Sequence, residues 1–165
     1  MGLEDNVRAG YGFLAHNYDQ KQGSNDEIYL FGWSRGAYTA RSIAGLISKF
    51  GLLDKRGMDG IADVYDAYRK GCFLDDAPKD LADIGAKLID KYKPGTPRIR
   101  CVGVWDTVGS LGIPNVDIWG INLPFKHLFS NENEKYQFHN TNLHPNIDYA
   151  FHAYALVGVH CSDAI

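Results

Sequence analysis

Residues 32–36 read Gly-Trp-Ser-Arg-Gly, a pentapeptide in which a serine stands between two glycines. A serine hydroxyl is a weak nucleophile, and enzymes that use one place it at the tip of a sharp turn where glycines keep neighbouring atoms away. The spacing therefore makes Ser34 a candidate nucleophile for acyl transfer, with the backbone N–H of Arg35 as a candidate oxyanion-hole donor. The alternative is an ordinary turn in which Ser34 caps the following helix.

The segments on either side of the pentapeptide favour the catalytic interpretation. Residues 28–31 are short, apolar and aromatic, as expected of a buried parallel strand. From Ala37 a helix is predicted to run to Gly51, which is placed to end it. A strand, the pentapeptide and a helix, in this order, form the context of a nucleophile elbow. The apolar face of the predicted helix consists of Ile43, Leu46, Ile47 and Phe50.

A carboxylate follows a second apolar segment. Residues 99–105 predict another buried strand, and Asp106 comes directly after it. Catalytic groups gather beyond the carboxyl ends of parallel strands, so Ser34 and Asp106 are expected at one site. A catalytic histidine needs a carboxylate to fix its tautomer and orientation, and Asp106 is the candidate for that role. Its other interpretation is an aspartate that caps the following turn.

The general base has several candidates. Hydrolases with this elbow usually carry serine, acid and histidine in that order along the chain. His160 is the first choice because it follows a short apolar segment. His152 ranks lower because it falls in the middle of a predicted helix. The histidines that follow Asp106 are His127, His139, His144, His152 and His160.

Helical and extended patterns alternate along the chain. This alternation predicts an α/β fold with a parallel sheet flanked by helices. The remaining predicted elements are helices over about 2–18, 61–68 and 78–92, a candidate strand over 136–139, and a last helix that starts at Pro145 with Ile147, Phe151 and Tyr154 on its inner face.

Composition narrows the class of protein. A chain of 165 residues, 45% hydrophobic and 22% charged, is ordinary for one globular domain. A net charge of −3 without a basic face argues against a nucleic-acid partner. The three cysteines lack the spacing of metal ligands, so a zinc site is not expected and a reducing compartment is favoured. Ester cleavage through a serine nucleophile would need neither a metal nor an organic cofactor. With neither a signal sequence nor a membrane-spanning segment, the expected location is the cytoplasm.

Three motifs carry a family resemblance. Residues 28–41 closely resemble the extended elbow of the type VI secretion phospholipase-effector-like α/β-hydrolases, a family long catalogued as a domain of unknown function and abundant in fungi. Residues 104–109, Val-Trp-Asp-Thr-Val-Gly, match a second signature, and residues 149–153 resemble a third. The resemblance implies an α/β-hydrolase fold and phospholipase activity on membrane lipids, the latter found in characterised bacterial members. It also implies Ser34 as nucleophile and Asp106 as triad acid.

The chain departs from the family pattern at both ends. Members carry an N-terminal strand ending in Asp-Gly-Thr, and their catalytic histidine lies in a C-terminal Gly-Val-His-Ser-Asp-like motif followed by glycines. Residues 158–160, Gly-Val-His, are either a remnant of that motif or unrelated sequence from a shifted reading frame or splice junction, and the missing glycines favour the second origin. We therefore expect residues 1–165 to form one incomplete catalytic domain, a partial α/β-hydrolase fold with an exposed sheet edge.

Two functional hypotheses from different classes follow. The first is a serine hydrolase that cleaves a lipid or other carboxylic ester through an acyl-Ser34 intermediate, impaired by the missing segments. The second is a non-catalytic pseudo-hydrolase that binds a lipid or protein partner through the sheet edge and the aromatic residues Trp119 and Phe125. A third possibility is that the isolated chain does not fold stably.

Overall fold

Three parallel strands form one sheet, and the first of them leads into the elbow. The computed structural model describes residues 2–21, 25–105 and 144–154. The central strand pairs with both neighbours, and within the described residues each outer strand pairs on one side only. The parallel sheet confirms the predicted α/β class. In sheet order the strands are β1 (Ile28–Trp33), β2 (Ile99–Trp105) and β3 (Ile147–Ala153).

The predicted helices over the first two thirds of the chain are confirmed. The elbow helix begins immediately after Ser34, and Gly51 lies beyond its end with φ of +108°, a conformation that glycine adopts without steric cost. A short 3₁₀ turn, Gly57–Gly60, precedes the third helix. The helices are α1 (Leu3–Asn17), α2 (Arg35–Lys49), α3 (Ile61–Arg69) and α4 (Lys79–Tyr92).

The core lies between the helices and one face of the sheet. On β1 the side chains of Ile28 and Leu30 are buried, and on β2 those of Val102 and Val104. Helix α2 packs against both strands, and α1 packs on α2. These elements form one cluster because their apolar residues recur at strand and helix spacing on facing surfaces. Its helical members include Val7, Tyr11, Ile43, Leu46, Ile47 and Val64.

The other face of the sheet carries a different set of side chains. Alternation along β1 turns Tyr29, Phe31 and Trp33 away from the core, and they are 50%, 60% and 69% exposed. Within the described part of the chain, the strand predicted at residues 28–31 is therefore buried on the face that carries Ile28 and Leu30 and exposed on the other. We call this surface the aromatic face; its members are Tyr29, Phe31, Trp33, Trp105, Tyr149 and Phe151.

The helix predicted from Pro145 is wrong, because residues 147–153 form strand β3. The main chain there pairs in parallel with β2, and the Ile99 N–H donates to the Asn146 carbonyl at 2.8 Å just before the strand begins. Pairing with a neighbouring strand has overridden the local helical spacing. The candidate strand at 136–139 and the aromatic pair Trp119 and Phe125 lie outside the described residues.

Candidate active site

Ser34 forms the turn that joins β1 to α2. Its backbone has φ of 52° and ψ of −117°. A non-glycine residue in such a region costs on the order of 1–3 kcal/mol, and residues of this kind cluster at functional sites. Its hydroxyl makes no capping hydrogen bond to the first turn of α2 within the described residues. The conformation is that of a strained strand-to-helix turn.

The two glycines of the pentapeptide have different surroundings. A Cβ built on Gly32 would lie 2.2 Å from the carbonyl oxygen of Gly36 and 2.6 Å from the backbone nitrogen of Ala37. Only glycine lets the strand and the helix approach this closely. A Cβ built on Gly36 meets no described atom within 4 Å, so packing against these residues does not require glycine there.

Hydrogen bonds fix the backbone of Ser34 to two elements. Its N–H donates to the carbonyl of Trp105 at 2.9 Å, and its carbonyl accepts from the N–H of Tyr38 at 3.2 Å. The first bond ties the elbow to the last residue of β2, which is in register with Trp33. Asp106 lies outside the described residues and is bonded to Trp105 in the chain.

The start of α2 supplies N–H groups at the elbow. The first residues of a helix have no intrahelical acceptor for their N–H groups, and the helix dipole makes this end positive. Because the N–H of Ser34 is occupied by Trp105, the N–H of Arg35 is the next donor along the chain. The side chain of Arg35 is exposed, and its carbonyl accepts from the Thr39 hydroxyl at 3.1 Å. Burial raises the pKa of the Tyr38 phenol, which keeps it neutral.

Two of the candidate histidines lie in the described residues. His144 precedes the amino end of β3, so it lies at the far end of the sheet from Ser34. Its Nδ1 lies 2.8 Å from Oδ1 of Asn146. His152 is in register with Val104, in a row that also contains Gly32. Neighbouring strands are about 4.8 Å apart, which puts the His152 backbone roughly 10 Å from Gly32.

The reason for ranking His152 low is wrong, because this residue lies in a strand and not in the middle of a helix. Its side chain is exposed, with the ring centroid 3.8 Å from that of Tyr154. Apolar residues stand at alternate positions in residues 147–153, and this alternation could have predicted a strand with His152 near its carboxyl end. His127, His139 and His160 lie outside the described residues.

Cavities lie at both ends of the sheet. An apolar cavity of about 200 Å³ near the carboxyl end is lined by Phe31, Gly103 and Trp105, among others. A larger groove of about 1070 Å³ lies at the amino ends, where Arg98 and Arg100 both pair with Asp148. Ligands of parallel sheets bind beyond the carboxyl ends, so we place the candidate site at Ser34 and not in the larger groove.

The described residues contain no cluster of three or more His, Cys, Asp or Glu side chains suited to a metal ion. Over the same residues, no helix combines the length and the apolar character needed to cross a bilayer.

Comparison with known proteins gives a family and one curated relative. Residues 1–158 match the family model described as "T6SS, Phospholipase effector Tle1-like, catalytic domain". The Saccharomyces cerevisiae protein YEL023C, itself uncharacterized, is 32% identical over 118 residues. That alignment covers 68% of this chain but 16% of the yeast protein, so the chain spans about a sixth of its relative. No solved structure matches significantly.

Proposed function

Since the chain belongs to the family of Tle1-like phospholipase effector catalytic domains, which are lipase-type hydrolases, we propose that it cleaves carboxylic esters through an acyl-Ser34 intermediate. The observation that carries the proposal is the strained backbone of Ser34 at the strand-to-helix turn. Strain of this kind persists only where the surroundings hold it, and here Gly32 and Trp105 do so.

In the first half of the proposed reaction, the Ser34 hydroxyl oxygen attacks the ester carbonyl carbon while a histidine accepts the hydroxyl proton. The carbonyl oxygen becomes an oxyanion, which the N–H of Arg35 stabilises at the positive end of α2. Collapse of the intermediate breaks the ester C–O bond, and the histidine returns its proton to the departing alcohol. The acyl group is then bonded to Ser34.

In the second half, water attacks the acyl-serine with the same histidine as base, and the carboxylic acid leaves as Ser34 regains its proton. We assign the base to His160 and the residue that orients it to Asp106. The Asp106 assignment is supported by its covalent neighbour Trp105, whose carbonyl binds the Ser34 N–H. The His160 assignment depends on the order of the residues along the chain.

The proposed substrate is a phospholipid or a related lipid ester. The family description supports this class, because its members are named as phospholipase effectors. The apolar cavity beside Trp105 lies at the end of the sheet where the reaction would take place, which suits an ester that carries an apolar chain.

Covalent labelling of the purified chain with a fluorophosphonate probe tests the mechanism. We expect wild-type protein to be labelled and Ser34→Ala to be unlabelled. Asp106→Asn and His160→Ala should lower the labelling rate on the order of 10⁴-fold, because loss of a triad member removes most of the serine's activation. His152→Ala is the matched control, and its labelling rate should equal that of wild type.

Other outcomes would change the assignment. Loss of labelling in His152→Ala, with His160→Ala unaffected, would move the base to β3. A folded wild-type chain that takes no label would overturn the proposal and favour the non-catalytic pseudo-hydrolase. Circular dichroism of each variant shows whether a lost signal reflects chemistry or unfolding.

A further inference from the structure

Arg35 carries a positive charge directly beside the candidate nucleophile. It is the first residue of α2, and Ser34 is the residue that precedes it. Its side chain is exposed. The oxyanion role proposed for this residue uses the backbone N–H, which any side chain at this position would leave in place. The guanidinium group of Arg35 is therefore available for a separate role.

The charge of Arg35 has no partner among the described residues. No ion pair or side-chain hydrogen bond joins its guanidinium group to any of them. The first turn of α2 contains no acidic residue. The acidic residues in the first turn of α1, which packs on α2, are already paired, Glu4 with Arg69 and Asp5 with Arg8. Within the described part of the chain, the guanidinium group thus meets no anion.

The position of this charge is unfavourable for the fold alone. Unpaired N–H groups make the amino end of a helix positive, so a cation in the first turn of α2 is repelled. Residues that break a local rule of this kind without a compensating contact are expected at functional sites. An anion bound by the guanidinium group of Arg35 would remove the repulsion, and a substrate can supply that anion.

We propose that the Arg35 guanidinium group binds the phosphate of the phospholipid substrate and makes the site selective for esters that carry one. This inference rests on the proposed function. A guanidinium group binds phosphate through two parallel N–H···O hydrogen bonds, which fix the orientation of the ligand. In a glycerophospholipid, only glycerol carbons and ester oxygens separate the acyl carbonyl from the phosphorus. An arginine side chain that extends from the residue beside the nucleophile spans a gap of that size.

The surroundings of Ser34 suit the two parts of such a lipid. On one side, its N–H is hydrogen-bonded to Trp105, which lines the apolar cavity proposed for the acyl chain. On the other side, it is followed by the charged side chain of Arg35. The nucleophile therefore stands between an apolar site and a cationic group. The acyl carbonyl of a phospholipid likewise stands between its apolar chain and its phosphate.

Two substrates that differ in the phosphate alone test the proposal. Dihexanoylphosphatidic acid and dihexanoylglycerol carry the same esters, and both are used as dissolved monomers, so adsorption to a lipid surface plays no part. We expect wild type to have the higher kcat/KM for the phosphatidic acid. Arg35→Gln should lower the ratio of the two kcat/KM values on the order of tenfold, since a charged hydrogen bond is lost. Arg35→Lys, which keeps the charge but not the planar group, should recover part of the ratio.

Arg56→Gln is the matched control. Arg56 is exposed in the segment beyond the other end of α2, so its substitution removes the same charge far from Ser34. The ratio of the kcat/KM values should stay at its wild-type value. In urea titrations, Arg35→Gln should be at least as stable as wild type, because a repulsion is removed and no described residue loses a partner.

A second measurement does not depend on turnover. Glycerol phosphate should slow labelling of wild type by the fluorophosphonate probe, glycerol at the same concentration should not, and the protection should be lost in Arg35→Gln.

Three results would overturn the inference. They are an unchanged kcat/KM ratio in Arg35→Gln, glycerol phosphate protection that is absent or persists in that variant, and a loss of stability in Arg35→Gln, which would reveal a carboxylate partner within the chain. A folded wild-type chain that hydrolyses neither ester and takes no label would instead overturn the proposed function itself.

Discussion

Ser34 holds a backbone conformation that residues with a Cβ rarely adopt, at φ of 52° and ψ of −117°. The spacing of the two glycines predicted a turn at this position, because glycine is the residue that permits a close approach of strand and helix. Of the two, Gly32 is the one whose surroundings require it. The strain on Ser34 could not be predicted, since it depends on how β2 holds the elbow from a distant part of the sequence.

The strain gives a prediction about stability that is separate from catalysis. Ser34→Gly and Ser34→Ala both remove the hydroxyl, but only glycine relaxes at positive φ. We expect Ser34→Gly to be more stable than Ser34→Ala by about 1 kcal/mol in free energy of unfolding, measured by urea titration.

The same pair of substitutions at Ser42 serves as control, because Ser42 lies at the middle of α2. There the order should reverse, with glycine less stable than alanine by about 0.5–1 kcal/mol. The same order at both positions would mean that Ser34 is not strained.

At the scale of elements, β3 shows where a short pattern is ambiguous. Ile147, Phe151 and Tyr154 fit a helical spacing, whereas Ile147, Tyr149 and Phe151 fit the alternation of a strand just as well. The aromatic content of the segment favours the strand. Pairing with β2 decides between them, and that contact joins residues about fifty positions apart.

A charge cluster joins the starts of β2 and β3 and predicts a dependence of stability on pH. Arg98 and Arg100 both pair with Asp148, whose side chain is 12% exposed. Their hydrogen bonds and charges hold the pKa of this carboxyl below its ordinary value of 3.8. A lowered folded-state pKa adds stability that is present above 3.8 and is lost as the pH falls through the lowered value.

We expect Asp148→Asn to be less stable than wild type at about pH 6, with the difference narrowing below about pH 4 as the wild-type carboxyl is protonated. Urea titrations of both proteins over this range measure it. Two stability curves that run parallel down to about pH 3 would show that the cluster does not contribute.

At the scale of the whole molecule, the described core lies on one side of the sheet. The four helices, strands β1 and β2 and the order of these elements along the chain followed from periodicity and from glycine and proline positions, whereas β3 did not. The exposure of the aromatic face could not be predicted in this way, because an apolar segment such as residues 28–31 fits a strand that is buried on both faces. Which side of a strand is covered depends on elements that the strand's own sequence does not describe.

The Tyr11 hydroxyl links α1 to the segment after α2, so its removal is expected to lower the stability of the fold. Its hydroxyl donates to the Gly51 carbonyl at 2.8 Å and accepts from the Leu53 N–H at 2.9 Å, and the side chain is fully buried. Burial also raises the pKa of this phenol. We expect Tyr11→Phe to lower the free energy of unfolding by about 1–3 kcal/mol, because two backbone groups lose their partner.

The exposed Tyr154 is the control for this prediction, and Tyr154→Phe should change the free energy of unfolding by no more than about 0.5 kcal/mol. Thermal or urea unfolding compares the two variants. Equal effects would show that the link between α1 and the segment after α2 does not stabilise the fold.

The hydrogen bond from the Ser34 N–H to the Trp105 carbonyl also bears on protein engineering. Both β1 and β2 are therefore needed to hold the elbow, since the acceptor of this hydrogen bond lies some seventy residues further along the chain. A graft of residues 32–36 into another scaffold would carry the glycines and the serine but not the acceptor that holds them. Transplanting this turn successfully would therefore require a parallel neighbour strand in the register that β1 and β2 share.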